Sequence, residues 1–119
     1  MRHLKDKKKL NVSSSHRKAL VRNQVIQLIT NGHITTTLTH AKEIRRLAER
    51  LVTLVAKGGN DFNVHRRVQS LLPYSASART KLFAEIAPTY VNRAGGYTRI
   101  LRLGRRPSDT ASMARLQWV

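Results

Sequence analysis

Apolar residues recur every three or four positions through most of this chain and then alternate with polar ones toward its end, so the pattern predicts a helical part followed by a sheet. Ala19, Leu20, Ile26 and Ile29, with Val25 and Leu28 beside them, predict a helix from His16 to about Thr30. Ser13, Ser14 and Ser15 offer hydroxyls to its first amides, and Asn31-Gly32 supplies a left-handed stop. Ile34, Thr36 and Leu38 alternate with Thr35 and Thr37 as a short β-branched strand, after which Thr39 can cap a second helix. From Ala41 to about Lys57 one apolar stripe carries Ala41, Ile44, Leu47, Ala48, Leu51 and Val55, with Lys42, Arg45, Arg46 and Arg50 mostly off it.

Gly58-Gly59-Asn60 breaks that helix, and Asp61 can start a third with Val64, Val68, Leu71 and Leu72 on one face, ended by Pro73. Ser75 or Ser77 opens a fourth, with Leu82, Phe83 and Ile86 inward, which Pro88 stops or kinks. Beyond Asn92-Arg93-Ala94-Gly95-Gly96, the segment Tyr97 to Leu103 is β-prone, residues 104–110 are turn-rich, and Ala114, Leu116 and Trp118 alternate with Arg115 and Gln117. The end reads as a β-hairpin. Joined to the strand near residue 36, it makes a small three-stranded sheet covered on one face by about four helices, a two-layer α+β domain. Residues 1–12 read as an extended basic arm and residues 13–119 as the single domain.

Composition sharpens this picture. A chain of 119 residues supports one modest core, and its 23 Lys plus Arg against 6 Asp plus Glu leave a formal charge of +17. Small soluble domains usually stay within about 2 to 8 charges, because a larger excess makes the compact state repel itself. The excess is spread along the chain, with +7 over residues 1–31 and +5 over residues 91–119. A polyanion that supplies the missing negative charge accounts for it, and nucleic acid is the commonest one.

Absent cysteine excludes disulfides, thiolate catalysis and zinc fingers. No apolar run is long enough to span a bilayer. The start MRHLKDKKKL is followed by polar NVSSSHRK where a secretory signal would turn apolar, so secretion is not expected.

Catalytic and cofactor readings fail on spacing. Ser15 and His16 are adjacent and so point apart on a helix, and no acid stands near to orient His16. Glu43 and Glu49 lie among Arg and Lys and suit intrahelical ion pairs. His33 and His40 have no Cys or carboxylate company for a metal, and Gly95-Gly96 lacks the GxxxxGK[ST] spacing of a nucleotide loop. No catalytic residue, metal or cofactor is expected, nor a small-molecule substrate or a membrane partner.

Nucleic-acid contact is the reading that uses the charges. Its candidate residues are Arg2, His3, Lys5, Lys7, Lys8 and Lys9 in the arm, with His16, Arg17, Lys18 and Arg22 at the first helix. Arg93, Gly95, Gly96, Tyr97, Arg99, Arg102, Arg105 and Arg106 complete the set around the C-terminal turn and hairpin. Arg17, Lys18 and Arg22 oppose the dipole of their helix, which a bound phosphate would relieve. Lysine supplies mobile point charges, whereas arginine binds phosphate bidentately and stacks on bases, so a threading arm and a docking hairpin suit a folded RNA. Six aromatics, mostly at core spacing, argue against a single-strand stacking platform. The alternative is a DNA-binding or nucleoid protein that uses the second and third helices as a helix-turn-helix, with Asn63, Arg66, Arg67 and Gln69 as base readers.

Four segments in order, MRH, LNVSSSHRKAL, ITTTLTHAKEIRRLAERLVTLVAK and NRAGGYTRILRLGRRPSD, resemble the bacterial large-subunit ribosomal protein seventeen family over essentially the whole chain. The resemblance implies a two-layer α+β fold and a structural role in the large ribosomal subunit, bound to 23S-type ribosomal RNA near the nascent-chain exit side, among neighbouring ribosomal proteins. It implies no activity or cofactor, and a cytoplasmic or organellar ribosome as location. Arg2, His3, Lys5 to Lys9, His16, Arg17 and Arg93 to Arg106 match the family's basic segments. Leu4 and Val12 stand where the family often has basic residues, and Ser108 and Ser112 where Gly and Pro are expected.

Overall fold

A computed structural model describes residues 1–3 and 5–119, so the departure at Leu4 lies outside the described residues. The elements are α1 (Ser14–Asn31), β1 (His33–Thr37), α2 (Leu38–Gly58), α3 (Phe62–Leu71) and α4 (Ala76–Lys81). The last runs on through a π-helical turn (Leu82–Ile86) into α5 (Ala87–Thr89), and β2 (Thr98–Arg105) and β3 (Ser112–Trp118) follow. The expected α+β fold is what the chain adopts: helices cover one face of a three-stranded antiparallel sheet of order β1-β3-β2.

The last strand is therefore the central one. Register pairs Ile34 and Ile100 with Leu116 from either side, and Thr36 and Arg102 with Ala114. Leu116 and Ala114 are fully buried, as are Ala41, Ile44, Ala48, Leu51 and Val52 on the inner stripe of α2. Val25, Leu28 and Ile29 of α1 join them, whereas Ala19, Leu20 and Ile26 are only partly buried.

Local capping corrects one boundary. The Thr37 hydroxyl, rather than that of Thr39, accepts from the His40 amide (3.4 Å), so Leu38 belongs to α2 and not to the strand. Pro88, expected to stop or kink its helix, follows a π-helical irregularity, and the helical run ends one residue past it at Thr89. A proline lacks the amide and crowds the carbonyl four residues back, a carbonyl that lies in the wider turn over Leu82–Ile86. In β2 the register slips between Arg102 and Gly104, leaving Leu103 as the extra residue beside Gly104 at φ 90°. This bulge carries the strand to Arg105, two residues beyond the β-prone segment.

Gly58, at the end of α2, is set by close approach. A Cβ there would run into the γ2 methyl of Val64, which α3 presses against the α2 terminus. We expect Gly58→Ala to destabilise the protein by about 1–3 kcal/mol in urea unfolding, the usual scale of overpacking. Combining it with Val64→Ala should recover part of that loss; strictly additive costs would show that the contact is not the cause.

Candidate nucleic-acid interface

Acidic side chains are scarce, and four of the six, Asp6, Glu43, Glu49 and Asp109, hold parts of the chain together. Arg46 on α2 donates to the Asp6 carboxylate (2.7 Å) and to the Asp6 carbonyl (3.1 Å), and Glu43 accepts from the Lys8 amide (3.3 Å). The arm is thus laid against the first half of α2. Hydrogen bonding to Arg46 holds the Asp6 carboxyl below its ordinary range. Arg17 donates to the Lys9 carbonyl (3.3 Å), tying the arm to α1 as well. Among the described residues, Lys5, Lys7, Lys8 and Lys9 have exposed side chains and no ion pair.

Glu43 and Glu49 do form intrahelical pairs, with Arg46 (3.9 Å) and Arg45 (3.4 Å). Each also has a tertiary role that sequence spacing did not reveal. Glu49 accepts from both the amide (3.2 Å) and the hydroxyl (2.8 Å) of Thr98, which pins the start of β2 to α2.

At the start of α1 the Ser13 hydroxyl accepts from the His16 amide (3.4 Å), and no acid occupies the first turn. His16 and Lys18 are exposed, Arg17 and Arg22 partly so. In the C-terminal part Arg93, Gly95, Gly96, Arg99, Arg102, Arg105 and Arg106 are all exposed, and Gly96 takes the left-handed conformation (φ 64°) that the turn before β2 requires.

Tyr97 departs from expectation. Its side chain is 1% exposed and tilts against the Tyr90 ring, so it belongs to the core rather than to an exposed surface. Thr53 donates to its hydroxyl oxygen, and that hydroxyl donates to the Arg93 carbonyl, both at 3.3 Å. Tyr97 therefore positions the turn that carries Arg93, Gly95 and Gly96.

Arg106 is engaged as well. Its Nε and Nη2 donate to the two Asp109 oxygens (2.9 and 2.6 Å), and the Ala111 amide adds a third bond (3.2 Å), which closes the loop between β2 and β3. That leaves Arg99, Arg102 and Arg105 with no ion pair among the described residues. The sequence candidates thus fall into an arm docked on α2, the head of α1, and a hairpin with the turn before it.

Such an assembly defines a class: a small α+β protein with four of its six carboxylates engaged internally and a large excess of exposed cations. The chain belongs to the Ribosomal protein L17 family, whose pattern matches residues 20–119. It is similar to the "Large ribosomal subunit protein bL17" of Sulfurimonas denitrificans, 48% identical over the whole of both chains. The same protein of Sulfurovum sp. is 45% identical, again over both whole chains, and that of Campylobacter jejuni 46% over all of this chain and 99% of the relative.

The bonds from Arg106 and then from the Ala111 amide lower the Asp109 carboxyl from its ordinary 3.8 to about 2. Since the folded-state value lies below the unfolded one, this stabilisation is complete above the ordinary value and is lost as pH falls through about 2. A carbon-detected NMR titration should find Asp109 changing charge near 2, and Arg106→Ala should return it toward 3.8. An unmoved value in the variant would show that the pair does not set it.

Proposed function

We infer that this chain is a structural constituent of the large ribosomal subunit, which binds and stabilises folded ribosomal RNA of the 23S type and so supports translation. Membership of the Ribosomal protein L17 family, with full-length relatives named as large-subunit proteins, is the observation that carries this reading. The distribution of charge supports it independently, because unpaired cations stand on the arm, the α1 head and the hairpin of a body whose net charge is +17.

The proposed contacts are those of Arg2, His3, Lys5, Lys7, Lys8, Lys9, His16, Arg17, Lys18 and Arg22, then Arg93, Arg99, Arg102, Arg105 and Arg106, with the bare backbone of Gly95 and Gly96 close to phosphate or ribose. The role needs no catalysis, cofactor or metal; the partners are large-subunit RNA and adjacent ribosomal proteins, in the cytoplasm. No helix among the described residues is long and apolar enough to cross a membrane.

The arm, residues 1–12, acts as a segment distinct from the domain of residues 13–119. Ordering backbone costs about 1–2 kcal/mol per residue, and exposed ion pairs such as Asp6 with Arg46 contribute little against it because water screens them. RNA therefore completes the ordering of the arm. In the free protein the amides of residues 5–12 should show the poorly dispersed, fast-exchanging signals of a mobile chain; dispersed signals with slow exchange would contradict this.

Sucrose-gradient sedimentation of a lysate from the source cell tests the assignment directly. The protein should travel with large subunits, and recovery only in the free fraction would overturn the reading. With purified RNA, some six to ten phosphate contacts should lower affinity by about three to five powers of ten between roughly 50 and 200 mM salt.

A further inference from the structure

The helices pack on one face of the sheet only, and the other face carries a pattern that neither the charge counts nor the motifs singled out. In register across β1, β3 and β2 it presents His33, Gln117 and Arg99 in one row, then Thr35, Arg115 and Leu101 in the next. His33, Thr35, Arg99 and Leu101 are exposed, while Arg115 and Gln117 are partly so. We propose that this open sheet face is a second RNA-contact surface, with Arg115 at its centre and His33, Thr35 and Gln117 as hydrogen-bonding groups around it, taking the sugar–phosphate backbone of the same ribosomal RNA.

The state of Arg115 argues for a ligand there. Its Nε is enclosed by protein and has no hydrogen-bond acceptor. Arg46 and Arg106 hold carboxylates and Arg79 donates to the Leu72 carbonyl (2.6 Å), while Arg99, Arg102 and Arg105 stand exposed where water can serve them. Buried donors are normally paired, so an arginine left unpaired in mid-sheet works against folding, and an aliphatic side chain would serve the fold better. Its terminal nitrogens, in a row with Thr35 and Leu101, meet no carboxylate within the described residues.

The composition of the face favours RNA over a protein. Leu101 (39% exposed) and Leu103 (53% exposed) are the largely exposed apolar side chains along this edge of the sheet, and Arg99, Arg102 and Arg105 flank them, too little apolar area and too much charge for the apolar centre of a protein interface. Neighbouring side chains across paired strands stand about 4.5–5.5 Å apart. That spacing brings a guanidinium, an imidazole, an amide and a hydroxyl together, a set suited to phosphate oxygens and ribose 2′-hydroxyls in the wide, shallow groove of folded RNA.

This inference rests on the ribosomal-RNA reading, and the experiment separates the two. Full-length protein is bound to a large-subunit RNA transcript over a salt series, wild type against Arg115→Met, which keeps the aliphatic stem. The variant should melt no lower than wild type, bind about three- to tenfold more weakly, and show a log–log salt slope smaller by about one. Wild-type affinity and slope in a folded variant would overturn the proposal.

Phenylglyoxal labelling of wild-type protein, read by mass spectrometry, gives an answer that does not depend on the variant folding. Arg115 should react when free and be protected on RNA, and equal reaction in both states overturns the proposal. Protection of Arg102 without Arg115 defeats the sheet-face proposal alone, whereas no RNA binding at all defeats the parent reading. Protection of Arg115 that appears only when an acidic protein is added would assign the face to that protein instead.

Discussion

Everything in this molecule hangs on β3 entering the sheet between two strands that precede it in the chain. Until Ser112–Trp118 is in place, β1 and β2 have no common partner, since each pairs with β3 and not with the other. Its inward residues Ala114 and Leu116 then meet the stripe of α2, and these side chains are removed from water entirely. The Trp118 indole donates to the Leu28 carbonyl of α1 (3.3 Å), and the Tyr90 hydroxyl to the Val119 carbonyl (2.7 Å). This strand and the residue after it thus tie the sheet, α1 and the end of the α4–α5 helical run into one body.

That body resolves a conflict between burial and charge. A core of buried aliphatic residues has to hold together a chain with a net charge of +17. Four acids act as fasteners at specific points: Asp6 and Glu43 between the arm and α2, Glu49 between α2 and β2, and Asp109 within the hairpin loop. Spent in this way, they neutralise only the few cations beside them. The lysines of the arm and the arginines of β2 are left exposed, which suits a protein whose final environment is a mass of phosphate.

Elements with strong periodicity are legible in the residue pattern alone. The second helix, the C-terminal hairpin and the α+β layering follow from side-chain period, and the break at Gly58-Gly59 follows from loss of side chains. Misplaced features have local causes. Two threonines stand near the start of α2, and only backbone geometry selects Thr37 over Thr39 as the cap. The helical run does end one residue past Pro88, but nothing in the residue types announces the π turn before it. Tyr97 sits among glycines and arginines in sequence, yet packing turns its ring into the core.

By itself, then, the sequence determined the period of each element, the excess of cations and the family, because these depend on residue type and spacing alone. Only the tertiary structure decided which cations remain free, since pairing depends on distances between residues far apart in the chain: Asp6 reaches Arg46, and Glu49 reaches Thr98. It also decided that Arg115, Gln117 and His33 share one open face. Strand order and register set that grouping, and neither is written in the alternation of any single strand.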